Sequence, residues 1–320
     1  MSIYNIKPMD FANLRTVSLH GRGGKVTPDL FAKPLSNDAS MNAFIDSLPK
    51  ILAADTLRAV AEKLHAAKTK RRAILWGIGG HVIKVGLAPM LLDLADRGYL
   101  TGLSMNGSAS IHDYEIAVAG HSSEDVEAVL PNGSFGSAEE TGRDLNEAIR
   151  GSIAAGTGMG EAICARITEK ADPRFAPASL LCGAYARKIP VTVHVAIGTD
   201  TLHTHPAVDG ASIGAASHRD FRLLCEMVRG LDDGGVYVNV GSAVVMPEVF
   251  LKAVSVVRNL GHSLRSFTTV NFDFIQHYRP SVNVVKRPHA NAGGQGYALT
   301  GHHEIMIPLL AAMLVAKDGQ

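Results

Sequence analysis

A three-layer α/β fold is what this sequence predicts, with a mostly parallel sheet between helices on both faces. Three observations predict it. Apolar runs of strand length alternate with stretches of helical period from about residue 70 nearly to the end. The runs are apolar throughout rather than alternating, which is the pattern of strands covered on both faces. Each run closes in glycine or short polar residues before the next helix, as strand–turn–helix units in series do. The chain has 320 residues, 46% of them apolar and 19% charged, which excludes a disordered chain. Its net charge of +1 supplies no broad field for nucleic acid or acidic lipid.

Residues 1–40 stand apart as an irregular N-terminal arm holding at most one short strand; 41–320 read as a single α/β domain. The first residues lack a basic stretch followed by an apolar one, so no signal peptide is expected and the chain reads as cytoplasmic. Met41 to Ala67 has helical period, with Asp46 and Asp55 as candidate caps. RRAILWGIGG is a buried strand with a glycine end, and HVIKVGLAPMLLDLADRG is the helix behind it, stopped by Gly98. YLTGLSMNGS and ASIHDYEIAVAG repeat the strand–helix pair. Residues 121–136 are polar and turn-rich, the best candidate for a mobile or ligand-covering segment. The next helix opens on a Ser137–Glu140 capping box, and two further helical stretches cover about 158–187. IPVTVHVAIGTD is a strand, THPAVDGASIGAASHRD a long loop and DFRLLCEMVRGL a helix. GGVYVNVGSAVV is a strand before the helix PEVFLKAVSVVRNLG, RSFTTVNFDF is a fifth strand, and a last helix runs from about His303 to Val315. Cys164, Cys182 and Cys225 all fall in helices with no CxxC, which suits reduced, buried thiols. The whole is Rossmann-like, and in such sheets ligands bind beyond the carboxyl ends of the strands.

Those ends read Gly77-Ile78-Gly79-Gly80, Asn106-Gly107-Ser108, Gly198-Thr199-Asp200, Gly241-Ser242 and Asn271-Phe272-Asp273, five turns forming one rim. Gly79-Gly80-His81 opens a helix without completing G-x-G-x-x-G. It is either an anion cradle or a tight turn. No P-loop and no G-x-S-x-G elbow is present. His203-Thr204-His205 and His302-His303, with Asp200 or Asp209, are candidates for metal ligation, for proton transfer, or for capping and packing. Lys286 follows the apolar run VNVV and reads as a sheet-edge lysine, or as an imine-forming nucleophile if buried near the rim. Asp273 is a candidate ligand contact, whereas Lys84 reads as a solvated helix residue.

Several stretches resemble deoxyhypusine synthase and its relatives, whose fold is likened to the sirtuin NAD-binding fold. LWGIGGHVIKVGLAPMLLDLADRGYLTGLSMNGSASIHD is similar to that family's strand, turn, helix and following strand. KIPVTVHVAIGTD is similar to its Ile-Pro-Val strand with a Thr-Asp end, GGVYVNVGSAVVMPEVFLKAVSVVRNLG to its glycine-rich strand, and HHEIMIPLLAAML to its closing helix. The similarity reaches from about residue 40 to the end, in order and spacing rather than identity.

The resemblance implies a homotetramer and NAD as cofactor. It places Gly80 to Gly86, Asn106, Gly107, Ser108, Thr199, Asp200, Asn271, His302 and His303 where the family contacts NAD. The family oxidises spermidine and carries its aminobutyl group as an imine on a lysine. Here the paired acids of the family are replaced by Ala109, Ser110 and Ile111, and its Trp-Gly-Lys is absent. Lys286 is the nearest lysine across a gap, and His289 falls at that position otherwise. His277 and Arg279 would repel a polycation.

The expectation is therefore an NAD-binding transferase or oxidoreductase acting on a small amine or hydroxyl substrate, with Lys286, His203, His205 and His289 as candidate catalytic residues. Gly79, Gly80, His81, Asn106, Gly107, Ser108, Thr199, Asp200, Asn271, Asp273, His302 and His303 are the candidate cofactor contacts. The alternatives are a metal-dependent hydrolase or lyase on His203, His205, Asp200 and His302, and a small-ligand-binding protein without catalysis.

Overall fold

The computed structural model describes residues 3–319. The first α-helices, α1 (Met41–Ser47) and α2 (Leu52–Thr69), lead into β1 (Ile74–Ile78). Then follow α3 (Gly80–Lys84), α4 (Ala88–Asp96), β2 (Gly102–Asn106), α5 (Gly107–Ala119), α6 (Val126–Val129), α7 (Glu139–Ala155), α8 (Met159–Lys170) and α9 (Leu180–Ala186). The second half runs β3 (Val191–His194), α10 (Gly210–Arg229), β4 (Val236–Val240), α11 (Val245–Asn259), β5 (Thr268–Asp273), β6 (Gln295–Thr300) and α12 (His303–Asp318).

The strands form one six-stranded sheet in the order β3-β2-β1-β4-β5-β6, and every pairing is parallel. Central β1 pairs from Ile74 with Val236 to Ile78 with Val240, and all five of its residues are buried. A strand buried on both sides must be apolar at every position, which is why ILWGI shows no alternation. Its even residues, Ile74, Trp76 and Ile78, join the core shared with α2, α4, α5, α8 and α12; Leu75 joins a second core beneath α10 and α11 with Tyr237 and Phe250. Burying each such side chain stabilises the fold by about 1.5–3 kcal/mol. Trp76 is fully buried and donates Nε1–H to the Tyr99 carbonyl at 2.9 Å, so its one polar atom is satisfied.

Several elements differ from the sequence reading. HVIKVGLAPMLLDLADRG is two helices, because Gly86 takes φ +75° between them and Pro89 starts a new one. Ser40, not Asp46, caps α1, accepting from Ala43 N–H, and α2 has no side-chain cap. The Ser137–Glu140 box does not form; Ala138 stands at the start of α7. The supposed loop after residue 205 becomes helix at Gly210, where Asp209 accepts from the N–H groups of Ala211 and Ser212. VNVV is no strand: Pro280–Lys286 is one wide helical turn with i→i+5 spacing, crossing from β5 back to the start of β6. The sixth strand, QGYALT, is an exposed edge that the apolar pattern did not reveal. Among the described residues of 3–40 there is no strand, only single turns at Leu19–Gly21 and Pro28–Leu30. No helix among the described residues is long and apolar enough to cross a membrane.

Candidate functional site at the carboxyl ends of the strands

Because all six strands are parallel, their carboxyl ends share one side of the molecule, and the five turns picked out in the sequence lie along it. Helix α3 divides this rim in two.

On the β1–β4–β5 side the backbone is closely packed. Gly79 N–H donates to Val240 O at 3.0 Å, and a Cβ on Gly79 would stand 2.1 Å from Gly241 O. Gly241 takes φ +63°, and a Cβ there would stand 2.9 Å from Cε1 of His303. Only glycine lets these two turns and the imidazole meet. His303 is fully buried at the start of α12; its Nε2 lies 3.3 Å from Phe272 O and 3.8 Å from Asp273 Oδ1, while Nδ1 is buried without a partner. Burial lowers its pKa, with the Asp273 carboxylate opposing, so Nε2 carries the proton and Nδ1 is a bare acceptor. His81 stands edge-on to His303 with ring centres 5.4 Å apart, and Phe274 lies parallel to His302 at 6.2 Å. His81 and His302 are exposed; Asp273 is buried and accepts from its neighbour Phe274 N–H. Asn271 is fully buried and its amide is engaged, accepting from Asn239 at 2.7 Å and donating to Gln276 at 2.8 Å. It ties β4 to β5 and to the loop that follows β5.

On the β2–β3 side lies a cavity of about 760 Å³. Lys84, Ser108, His112, Glu115, Glu140 and Asp200 line it, beneath the segment from His121 to Phe135. Asn106 caps α5 through Oδ1, accepting from Ala109 N–H at 3.0 Å. Gly107 is glycine because a Cβ would stand 2.2 Å from Asp200 Oδ2. The Asp200 carboxylate thus occupies the positive end of α5. Burial raises its pKa to about 6, against hydrogen bonds from the Thr199 side chain and the Ser108 backbone. One rung along α5 is a network that the sequence reading missed. Ser122 Oγ donates to Glu115, and His112 Nδ1 lies 2.6 Å from that same oxygen, so His112 is the donor through Nδ1–H. Thr141 Oγ1 also donates to Glu115, at 3.3 Å. Burial opposes the Glu115 charge, yet the His112 and Ser122 hydrogen bonds outweigh it and hold the pKa below the usual value. The i, i+3 spacing of His112 and Glu115 was visible in the sequence; the return of Ser122 to join them was not.

The four candidate catalytic residues do not meet on the rim. His203 Nδ1 accepts from the N–H groups of Gly198 and Asp200, at 3.2 and 3.3 Å. It ties the loop after β3, and burial lowers its pKa. His205 packs on Gly142, accepts Ala207 N–H at Nδ1 and pairs with Glu139 at 3.2 Å through Nε2. Lys286 and His289 lie toward the opposite end of the sheet. The crossover brings Val285 against Gly296, the second residue of β6, and leaves Lys286 exposed. His289 bonds Thr269 Oγ1 at 2.7 Å. Thr269 precedes Asp273 by four strand residues, about 13 Å. An imine on Lys286 would form nowhere near the rim. The metal reading fails on geometry too: His203 and His205 are committed elsewhere, and no three His, Cys, Asp or Glu gather as a metal site among the described residues.

No family model matches the chain and no curated protein matches it in sequence. Solved structures do match. A protein assigned as a deoxyhypusine synthase from Entamoeba histolytica superposes with a TM-score of 0.52 at 10% identity, over 89% of this chain and 96% of that one. A conserved protein assigned to the LOR/SDH type from Methanococcus maripaludis gives 0.51 at 15% identity, over 84% and 71%. AgrE, in a ternary complex with ornithine and NAD+, gives 0.51 at 13% identity over 82% of this chain, which spans only 33% of AgrE. The fold is deoxyhypusine synthase-like. At these identities the likeness is one of fold.

Proposed function

We propose that the protein is an NAD-binding enzyme, an oxidoreductase or transferase, that oxidises a small substrate at a carbon bearing an amine or a hydroxyl. The observation that carries this reading is the cavity at the carboxyl ends of β2 and β3, with a buried acid on one wall and a hydrogen-bonded histidine on another. Its volume falls within the range of small-molecule sites, about 300–1,000 Å³. The occurrence of NAD+ on this fold in AgrE supports the choice of cofactor.

The residues fit parts of a dinucleotide differently. Asp200 already accepts from Ser108 N–H, so a diphosphate would meet a carboxylate at the α5 end; hydroxyl donors of a ribose suit that acid better. Lys84, the lysine in the cavity wall, suits a phosphate. When bound, NAD would accept hydride from the substrate carbon. The chain's own part is the proton. His112 Nε2 is the basic atom, since Nδ1–H is held by Ser122, and Ser122 passes the field of Glu115 to the ring as it becomes charged. Three reduced cysteines suit a reducing, cytoplasmic setting.

Calorimetric titration with NAD tests the reading. Saturable heat is expected, weakened at least tenfold by Asp200→Ala. No heat and no thermal shift at millimolar NAD overturns it and leaves a binding protein for some other small ligand.

A further inference from the structure

Helix α10 lies between α7 and α11, and its period gives it two unlike faces. Asp220, Leu224 and Val228, spaced by four, turn inward: Asp220 to β3, the other two into the core with Tyr237. His218, Arg219, Arg222 and Arg229 are exposed on the outside. Two hollows flank the His218–Arg222 ridge, and these two side chains wall both. The hollow toward α7 measures about 240 Å³ and carries the hydroxyl residues Ser152 and Thr157. The hollow toward α11 measures about 390 Å³ and is lined by Phe221, Val256, Val257 and Leu260, with His262 beside them.

The charge of this groove is one-sided. The one acid in either wall, Glu226, is already paired with Arg229. Arg219 donates to the Gly156 carbonyl at the end of α7. Arg222 and His218 have no hydrogen-bond or ion-pair partner for their side chains among the described residues. Other arginines of the α/β body are engaged, Arg187 with Asp96, Arg166 with Glu147 and Arg58 with the Pro49 carbonyl. An open guanidinium presents a fork of donors that matches a phosphate or a carboxylate. A bare inorganic anion would leave the apolar hollow unfilled, and a neutral hydrocarbon would leave the guanidinium unmatched.

We propose that this groove binds an amphipathic organic anion, a phosphate or carboxylate head on an apolar body. The head sits on Arg222 and His218 toward Ser152 and Thr157; the body lies against Phe221, Val256 and Leu260. The larger hollow alone falls within the size range of small-molecule sites, about 300–1,000 Å³. The groove shares no lining residue with the cavity at the strand ends, so the inference stands independently of the proposed chemistry.

Titration calorimetry of the full chain with n-octyl phosphate below its micelle concentration, with octanoate and with neutral octyl glucoside tests it. Saturable one-to-one binding of at least one anion is expected, at least tenfold tighter than octyl glucoside and weakening as salt rises. The anion that binds more tightly names the head. Arg222→Gln is expected to weaken that anion at least tenfold, the scale of one charge-assisted hydrogen bond, and Leu260→Ser about threefold. Lys63→Gln, exposed on α2 across the sheet, is expected to stay within twofold. All three positions are exposed, so circular dichroism and Tm should be retained. No saturable binding of either anion overturns the proposal, as does octyl glucoside binding equally well. Unchanged affinity in Arg222→Gln overturns it too. Loss in Lys84→Ala instead places the probe in the cavity at the strand ends and overturns the assignment to α10.

Discussion

Asp220 lies fully buried in α10, where its carboxylate holds two chain segments at once. Gly160 N–H and Val193 N–H both donate to Oδ2, at 2.8 and 2.7 Å, while Oδ1 is buried without a partner. Burial dominates and raises the pKa from 3.8 to about 7, against the pull of the backbone donors. Between about pH 4 and pH 7 the folded chain therefore keeps a proton that the unfolded chain has released. Stability then falls as pH rises through that window and is flat above it. The shift spans roughly three pH units at 1.36 kcal/mol each, so about 4 kcal/mol is lost across the window. Asp220→Asn has the shape of the neutral acid, and its carbonyl oxygen can accept both N–H groups at every pH. Urea unfolding from about pH 4 to about pH 8 should show the native chain losing about 4 kcal/mol more than the variant, with the variant the more stable of the two at the upper end. Asp113 and Asp200, also raised to about 6 by burial, shift both proteins alike and cancel from the comparison. Parallel pH curves would refute the reasoning, because they would mean that the Asp220 proton is not linked to folding.

Gly79→Ala places a methyl 2.1 Å from Gly241 O, a backbone atom that cannot swing away, although φ at Gly79 is an unstrained −98°. The cost is packing alone, about 1–3 kcal/mol, seen as a lower Tm. A Tm matching the native protein would show that the β1 and β4 turns are further apart than described. Lys286→Ala and His289→Ala should leave NAD affinity within twofold of the native value, since both lie toward the opposite end of the sheet. A tenfold loss in titration calorimetry for either would bring that end into the site.

The sheet was legible because its physics is local. Strands buried on both faces had to be continuous apolar runs, and parallel order had to gather their polar ends on one side. What escaped depended on long-range context. VNVV has strand-like residues, but Pro280 and the need to return from β5 to β6 bend it into a helical turn. QGYALT is an edge strand with little apolar content, so its signal was weak. The first turns of α10, GASIGAAS, are too small-residued to show a helical period, though Asp209 marks their start. Asp200 and Ser108 were singled out from their place at strand ends, and both line the cavity. His203 and His205 were conspicuous as a pair, yet His203 Nδ1 is held by backbone amides, and His205 is held by Ala207 N–H and Glu139. His112, which no motif marked, is the histidine with a polar partner inside the cavity.

Trp76 gives the molecule a built-in lamp. It is the single tryptophan of the chain, sealed in the middle of β1 and only three residues short of Gly79. Every change in indole emission therefore reports from one known point under the rim, with no second fluorophore of its kind to separate. A reduced nicotinamide resting on those strand ends would lie within energy-transfer range of that indole, so an optical reading of occupancy comes with the fold itself.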